Sequence, residues 1–243
     1  MANKEWFYAW FDTSYYHLLY KHRNDEEARQ FIESLSKNLK LPKGAQVLDL
    51  ACGKGRHSVM LHRAGLNVLG VDLSSNSIAS AQKNTSNDLR FAVHDMREII
   101  PNERFNAVFN LFTSFGYFDT TEENDRVIES IYEMLSIKGI FVIDFINCCK
   151  SINSLVLSEE KNIDNIHFSI RRKFDGKHIY KYINVTDGTK KIAFMERIQA
   201  LFLADFKRLF KDKFFIKNVY GDYKLNPFVA EESDRLIIIA ERK

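Results

Sequence analysis

Three aspartates and two glycines stand at regular intervals in the first half of the chain. Asp49, Asp72 and Asp95 are separated by 23 residues each, and Gly53 and Gly55 follow the first of them closely. Each aspartate falls near the end of a predicted β-strand, and the glycines fall in a turn that opens a helix. In a parallel sheet these positions share the carboxyl edge, where open α/β sheets bind ligands. The spacing therefore predicts one ligand site at this edge.

Carboxylates at these positions suit an adenosine. Asp72, after the second strand, is placed to accept hydrogen bonds from both ribose hydroxyls. Asp95, after the third strand, could meet the adenine amino group, while Met96 or Leu73 packs on the ring. These residue types predict an adenosine-containing ligand.

Asp49 discriminates between adenosine ligands. Glycines in the turn let backbone N–H groups approach a ligand closely, but a carboxylate there repels a pyrophosphate. It suits a ligand with an ammonium and a sulfonium, which is S-adenosylmethionine. A nicotinamide dinucleotide would also prefer a third glycine, and position 58 is Ser.

Short apolar runs alternate with helical segments between about residues 45 and 146, which predicts an α/β core with a parallel sheet. The predicted strands are Gln46–Leu50, Asn67–Val71, Leu89–Val93, Ala107–Phe112 and Gly139–Phe145. The predicted helices between them are Arg56–Ala64, Ser75–Lys83 and Asn124–Leu135.

The pattern changes after Asn147. Three alternating runs, separated by Asp-Gly pairs at 175–176 and 187–188, predict an antiparallel meander within residues 151–201. Residues 202–243 are expected to return to the main sheet through a helix and two strands, the last at Leu236–Ala240. Residues 1–40 show helical spacing and are predicted to form a cap. Without a repeat or a linker, 1–243 is interpreted as one domain.

Four segments resemble motifs of the class I S-adenosylmethionine-dependent methyltransferases: Asp49–Gly55, Gly70–Ser74, His94–Arg97 and Phe141–Phe145. The resemblance covers about residues 45–146. It implies a Rossmann-like, seven-stranded, mostly parallel sheet with helices on both faces and a reversed final strand. It also implies methyl transfer to an acceptor held over the carboxyl edge. Residues 110–117, 221–223 and 233–235 further resemble small-molecule N-methyltransferases of that class, including those acting on amino sugars.

The resemblance assigns site residues position by position. It implies cofactor contacts at Asp49, Ala51, Gly53, Gly55, Asp72, Leu73, Asp95, Met96, Asn110 and Leu111. In related enzymes a cap with spaced tyrosines closes over the cofactor, and the matching residues here are Tyr16, Tyr20 and Arg23. The acceptor-side candidates are Phe115, Tyr117 and Tyr223. Lys54 departs from the family pattern, which commonly has a small residue there, without breaking the glycine turn.

Methyl transfer from a sulfonium is an in-line displacement, so the protein is expected mainly to position and desolvate the acceptor. No obligatory nucleophile or metal is expected. Candidates for a base, if one is used, are Tyr16, His17, His57 and Tyr117, because imidazole and phenol can relay a proton. The alternative for each is a structural role: His57 bonded to a neighbouring group, and the aromatic residues packed in a core.

Composition sets the remaining expectations. With 243 residues, 45% of them hydrophobic, and a formal net charge of +3, the chain is typical of a folded protein. No apolar stretch is long enough for a membrane span and no signal peptide is evident, so a cytoplasmic location without membrane association is expected. Three cysteines, two of them adjacent, fit no disulfide framework and are interpreted as reduced structural thiols.

One segment stands apart by charge. Residues 166–217 contain 13 Lys or Arg and 5 Asp or Glu. Such a balance could attract RNA, and the alternative is a solvated face. The sequence therefore favours a methyltransferase that acts on N or O of a small molecule, with no obligate protein partner. The open alternatives are an RNA methyltransferase, an NAD(P)-dependent oxidoreductase and a non-catalytic module that binds the cofactor or RNA.

Overall fold

The computed structural model describes residues 6–21 and 25–243. Arg23, one of the predicted cofactor contacts, lies outside the described residues. Among those that are described, no helix has the length and apolar character needed to cross a membrane.

A seven-stranded mixed sheet forms the centre of the fold, in the order β10-β11-β5-β4-β1-β2-β3. The strands β1 to β5 run parallel to one another, and β11 runs antiparallel to both β5 and β10. The predicted reversed final strand is therefore confirmed. The seven strands are β1 (Gln46–Leu50), β2 (Asn67–Asp72), β3 (Leu89–Val93), β4 (Phe105–Asn110), β5 (Leu135–Ile146), β10 (Phe214–Tyr220) and β11 (Arg235–Arg242).

Helices cover both faces of this sheet. Successive residues of a strand point to opposite faces, so Val47 and Leu48 belong to different core clusters. One face packs against α3, α4 and α5, and the other against α6 and α8. The helices along the chain are α1 (Trp6–Phe11), α2 (Ser14–Leu19), α3 (Asp25–Leu39), α4 (Arg56–Arg63), α5 (Ser75–Ala81), α6 (Thr121–Met134), α7 (Cys148–Asn153) and α8 (Leu203–Phe210).

Several predicted boundaries differ from the structure. Strand β5 begins at Leu135, four residues before the predicted Gly139, and two other differences have local reasons. Helix α6 begins at Thr121, not Asn124, because Thr120 and Glu123 form a reciprocal capping box that starts the helix earlier. The strand predicted as Ala107–Phe112 ends at Asn110, because the backbone turns at Phe112.

A separate antiparallel sheet follows the core, with four strands where three were predicted. Its order is β6-β7-β8-β9, and the strands are β6 (Ser158–Ile163), β7 (Ile166–Phe174), β8 (His178–Asp187) and β9 (Lys190–Gln199). Strand β6 has a polar sequence and lies at the edge, so it lacks the apolar alternation that identifies a strand.

The helices α1 and α2, here called the cap helices, pack on this antiparallel sheet. Trp10 and Leu19 share a core cluster with Phe168, Ile170 and Ile183. Helix α3 instead packs on the main sheet through its apolar face. The first 40 residues thus serve two different layers.

Candidate functional site

The turn after β1 has the conformation that its glycines allow. Ala51, Gly53 and Gly55 have φ values of 64°, 56° and 80°, and α4 begins directly after them. A Cβ added at Gly55 would lie 2.6 Å from the ring of Phe91, so this glycine permits close packing under the turn. A Cβ at Gly53 would meet nothing within 4 Å. The turn therefore packs on one side and is open on the other.

Asp72 joins the ends of two strands. Its Oδ2 accepts from the Gly53 N–H at 2.8 Å, and its Oδ1 accepts from the Ser74 N–H at 2.8 Å. Burial raises the pKa of this carboxyl, and the backbone hydrogen bonds only partly offset that effect. Each carboxylate oxygen retains a second lone pair for a ligand hydroxyl.

Asp49 is a buried carboxylate at the floor of the site. It is 1% exposed and accepts from the Ser58 hydroxyl at 2.5 Å. Burial raises the pKa of Asp49 to about 6, the Ser58 hydrogen bond opposes this shift, and the charge of Asp72 adds to it. A cation placed beside this group would stabilise its ionised form.

Asp95 is held by Arg97. The guanidinium donates to the two carboxylate oxygens, with Nη2 at 2.6 Å from Oδ2 and Nε at 3.1 Å from Oδ1. Burial raises the pKa of Asp95, but the bonds from Arg97 outweigh it and the net shift is downward. Arg97 also pairs with Glu123 at 2.7 Å, so this carboxylate belongs to a network that reaches α6.

These groups meet at one cavity of about 440 Å³, a size that suits a small ligand or cofactor. The structure brings most predicted site residues to its wall. Those lining it are Tyr16, His17, Tyr20, Asp49, Ala51, Gly53, His57, Asp72, Leu73, Asp95, Met96, Leu111 and Tyr117.

Four described candidates do not line the cavity. Phe115 is fully buried and packs on Phe206 in the core, so its side chain is absent from the cavity wall. Tyr223 packs on Phe31 with ring centroids 4.4 Å apart. Asn110 is buried and donates to the Leu50 carbonyl at 3.0 Å, and Gly55 lies beneath the turn. The family motif placed these four near the site, but their side chains or Cβ positions face the core.

The cavity also contains residues that the sequence did not single out. Phe7 and Phe11 come from α1, Phe118 follows β4, and Arg56 begins α4. The sequence signal for α1 was its aromatic content, which equally predicts packing. Asp12 marks the contact between the cap helices and the core, since it accepts from Ser74 Oγ and Asn76 Nδ2, each at 2.5 Å.

A second junction joins the cap helices to the antiparallel sheet. Glu196 of β9 accepts from Trp10 Nε1 at 2.6 Å and from the Tyr20 hydroxyl at 2.9 Å. Lys181 of β8 lies 3.6 Å from the same carboxylate. The cap helices are thus fixed on one side to the antiparallel sheet and on the other to Ser74 and Asn76 at the start of α5.

The candidate bases differ in their surroundings. Burial lowers the pKa of His57 to about 3 and, together with the charge of Lys54, lowers the pKa of His17 to about 4. Both imidazoles are therefore neutral at neutral pH. The Tyr117 hydroxyl donates to the Thr113 carbonyl in a short hydrogen bond, which fixes its orientation.

The basic segment 166–217 is distributed over the antiparallel sheet, α8 and β10. Many of its cations have carboxylate partners, which are Arg172–Glu159, Lys181–Glu196, Arg197–Asp119, Arg208–Asp205, Lys213–Glu129 and Lys217–Glu241. Among the described residues, no three His, Cys, Asp or Glu side chains are grouped so that they could hold a metal ion.

Comparison with known proteins relates this chain to methyltransferases. A family model described as a methyltransferase domain matches residues 41–188. A glycine/sarcosine N-methyltransferase of Aphanothece halophytica is 30% identical over 166 residues, which are 66% of this chain and 54% of that protein. A dTDP-3-amino-3,4,6-trideoxy-alpha-D-glucopyranose N,N-dimethyltransferase of Streptomyces venezuelae is 32% identical over 103 residues, 42% of this chain and 43% of that protein. The matched segments span about half the length of these relatives.

A solved structure extends the likeness to nearly the whole chain. The crystal structure of an S-adenosylmethionine-dependent methyltransferase from Clostridium acetobutylicum ATCC 824 has a TM-score of 0.79 and 20% sequence identity. The structural alignment covers 93% of this chain and 95% of the Clostridium acetobutylicum chain. The family match shows that the chain belongs to the methyltransferase domain family, and the mixed sheet and the structural likeness show that it has the class I fold.

Proposed function

We propose that this chain transfers the methyl group of S-adenosylmethionine to a nitrogen or oxygen atom of a small molecule. The observation that carries the proposal is the convergence of Asp49, Asp72 and the turn at Gly53 on one cavity. A buried carboxylate with a raised pKa favours a cationic guest, and S-adenosylmethionine carries both a sulfonium and an ammonium. The family match and the fold support this proposal.

The residues present fit this cofactor. Asp72 has lone pairs for two ribose hydroxyls while it holds the turn. Leu73 and Met96 offer apolar contact for an adenine ring. Asp95 has both oxygens engaged by Arg97, so we assign it mainly to shaping the adenine end of the cavity.

The chain's own residues then bind, orient and exclude water. When bound, S-adenosylmethionine supplies an electrophilic methyl carbon. The rings of Phe11, Tyr16 and Tyr117 enclose the same cavity and would hold an acceptor in a dry, fixed position. The neutral imidazoles of His17 and His57 add no positive charge beside a sulfonium. An amine acceptor must lose its proton before it attacks, because its lone pair forms the new N–C bond.

An amine is the acceptor that the relatives favour. The names of the two relatives above describe N-methylation of glycine or sarcosine and of an amino sugar. We therefore place nitrogen ahead of oxygen, and a small metabolite ahead of RNA.

Calorimetric titration of the purified protein with S-adenosylhomocysteine and, separately, with NADH tests the cofactor. We expect saturable binding of S-adenosylhomocysteine and none of NADH. Binding of NADH alone would replace the proposal with the oxidoreductase alternative.

Incubation with methyl-labelled S-adenosylmethionine tests the acceptor. The candidates are glycine, sarcosine, a dTDP-amino sugar and total RNA, each with a heat-treated protein control. Label in a small amine product is the expected result. Label in RNA would favour the RNA methyltransferase, and cofactor binding without any labelled product in fractionated cell extract would favour a non-catalytic module.

A further inference from the structure

Two consecutive residues with side chains adopt a left-handed backbone at the wall of the cavity. Phe112 and Thr113, just after β4, have φ values of 67° and 59°. This conformation is disfavoured for residues with a Cβ, and more so for aromatic and β-branched residues. It persists only where the surroundings hold it in place.

A buried ion pair holds this turn. Asp144, at 1% exposure near the end of β5, accepts from the Phe112 N–H at 2.8 Å through Oδ2, and its carbonyl accepts from the Thr113 N–H at 2.8 Å. Arg235, the first residue of β11, donates from Nε to Asp144 Oδ1 at 2.7 Å and from Nη2 to Thr113 Oγ1 at 2.8 Å. Carboxylate and guanidinium together fix both residues of the turn.

The turn reaches the cavity although the ion pair does not. Leu111, Phe112 and Ser114 line the cavity, whereas Asp144 and Arg235 are absent from its wall. The guanidinium of Arg56 lies 5.1 Å from the centre of the Phe112 ring, next to the glycine turn of β1. The position of Phe112 therefore sets one wall of the cavity against the start of α4.

We propose that Asp144 and Arg235 are positioning residues for this site. The pair holds an unfavourable turn so that Phe112 closes the cavity beside the glycine turn. The inference rests on the proposed function, since the ligand used to test it is S-adenosylhomocysteine. Its chemical basis is general: a buried carboxylate that accepts from both a backbone N–H and a guanidinium leaves little freedom to either partner.

The test combines four variants with two readouts. We measure the S-adenosylhomocysteine dissociation constant by calorimetry, and folding by circular dichroism and thermal melting. The substitutions are Asp144→Asn, Arg235→Lys, Thr113→Asn and the pair Asp144→Asn with Thr113→Asn. Arg235→Lys keeps the positive charge but loses the two-pronged contact of the guanidinium. It therefore tests the ion pair if Asp144→Asn fails to fold.

At temperatures where each variant is folded, we expect Asp144→Asn and Arg235→Lys to weaken S-adenosylhomocysteine binding at least fivefold. Asn adopts the left-handed conformation more readily than Thr, so Thr113→Asn should restore at least half of the lost affinity, on a logarithmic scale, in the Asp144→Asn background. The same substitution alone should change binding less than twofold. Rescue of affinity is a result that a merely stabilising ion pair would not give.

Arg242→Met is the matched control. Arg242 lies at the other end of β11, opposite Phe214, where its guanidinium is 4.2 Å from the centre of the Tyr132 ring, and it is absent from the cavity wall. We expect a lower melting temperature and unchanged binding. Wild-type affinity in folded Asp144→Asn would overturn the inference. So would a loss of binding that Thr113→Asn does not rescue and that Arg242→Met also shows at an equal drop in melting temperature. Absence of binding by the wild-type protein would instead overturn the proposed function.

Discussion

The cavity has two sides that are built in different ways. At the carboxyl edge of the main sheet, contacts run between groups close in sequence, such as Gly53 to Asp72 and Ser58 to Asp49. At the cap helices, contacts join residues far apart, as between Trp10 and Glu196. The first side depends on backbone geometry and buried charge. The second depends on tertiary packing between two separate layers.

The two sides differ in the chemical groups that they present to a ligand, and this difference indicates different roles. Backbone N–H groups and fixed carboxylates recognise a group that does not vary, which suits a common cofactor. The rings of Phe11 and Tyr16 come from the cap helices, which pack on the antiparallel sheet, although Phe7 of α1 also belongs to the core cluster of the main sheet. We infer that acceptor selectivity lies mainly on the second side.

The largest effect is expected from the charge of Asp49. Its pKa is raised from 3.8 to about 6, so the protonated form is the one the folded state favours. The stabilisation is complete below the unfolded-state pKa and is lost as pH rises through about 6, a change of about 3 kcal/mol. Urea unfolding without ligand, between pH 4 and pH 7, should show wild type losing most of that stabilisation relative to Asp49→Asn.

The comparison with Asp49→Asn is necessary because other groups act in the opposite direction. His17 and His57 have lowered pKa values, so their contribution falls as the pH falls below the unfolded-state value near 6.5. They are common to both proteins and cancel in the difference. Parallel pH profiles of the two proteins would show that Asp49 is not a strained charge.

Asp72→Ala should have the next largest effect, this time on ligand binding. The substitution removes the acceptor of two backbone N–H groups and the proposed acceptor of the ribose hydroxyls, so we expect a loss of about 2 kcal/mol, or roughly thirtyfold, in S-adenosylhomocysteine affinity. Asp88→Ala, at an exposed position just before β3, is the control and should bind normally. Equal affinities of the two variants would remove Asp72 from the site.

The same two sides differ in how well the sequence predicts them. The glycine turn, Asp72 and Asp95 follow predicted strands, Asp49 lies near the end of one, and all three aspartates line the cavity as expected. Strand ends in a parallel sheet converge whatever the side chains are, so spacing alone locates them. Phe115 shows the limit of this reasoning, because its motif lies next to the site while its ring is buried in the core.

The cap side could not be predicted in the same way. Strand β6 carries no apolar alternation, and the contacts of Glu196 with Trp10 and Tyr20 depend on how two layers pack. Aromatic residues in α1 indicated burial but not which of them would reach a ligand. The left-handed turn at Phe112 was likewise hidden, since its residue types favour a strand.

Glu196→Gln tests the cap side with a smaller expected effect. The substitution keeps the shape but removes the charge that accepts from Trp10 and Tyr20 and faces Lys181, so we expect a loss of about 1 kcal/mol in the free energy of unfolding. Hydrogen exchange should increase in the cap helices, while S-adenosylhomocysteine affinity falls less than threefold. Glu160→Gln, exposed on an outer strand, is the control. A binding loss as large as that of Asp72→Ala would mean that the two sides are not separable.

The smallest effect should come from the exposed pair between Lys21, after α2, and Asp164. Their side chains are 51% and 64% exposed, and such pairs contribute at most about 1 kcal/mol. Asp164 also has a φ of 50°, a conformation that Asn tolerates and Ala does not. Thermal melting of Asp164→Asn should therefore match wild type, whereas Asp164→Ala should melt lower. If the two variants lose equal stability, the ion pair contributes to the stability of the protein at this point and the left-handed backbone of Asp164 does not.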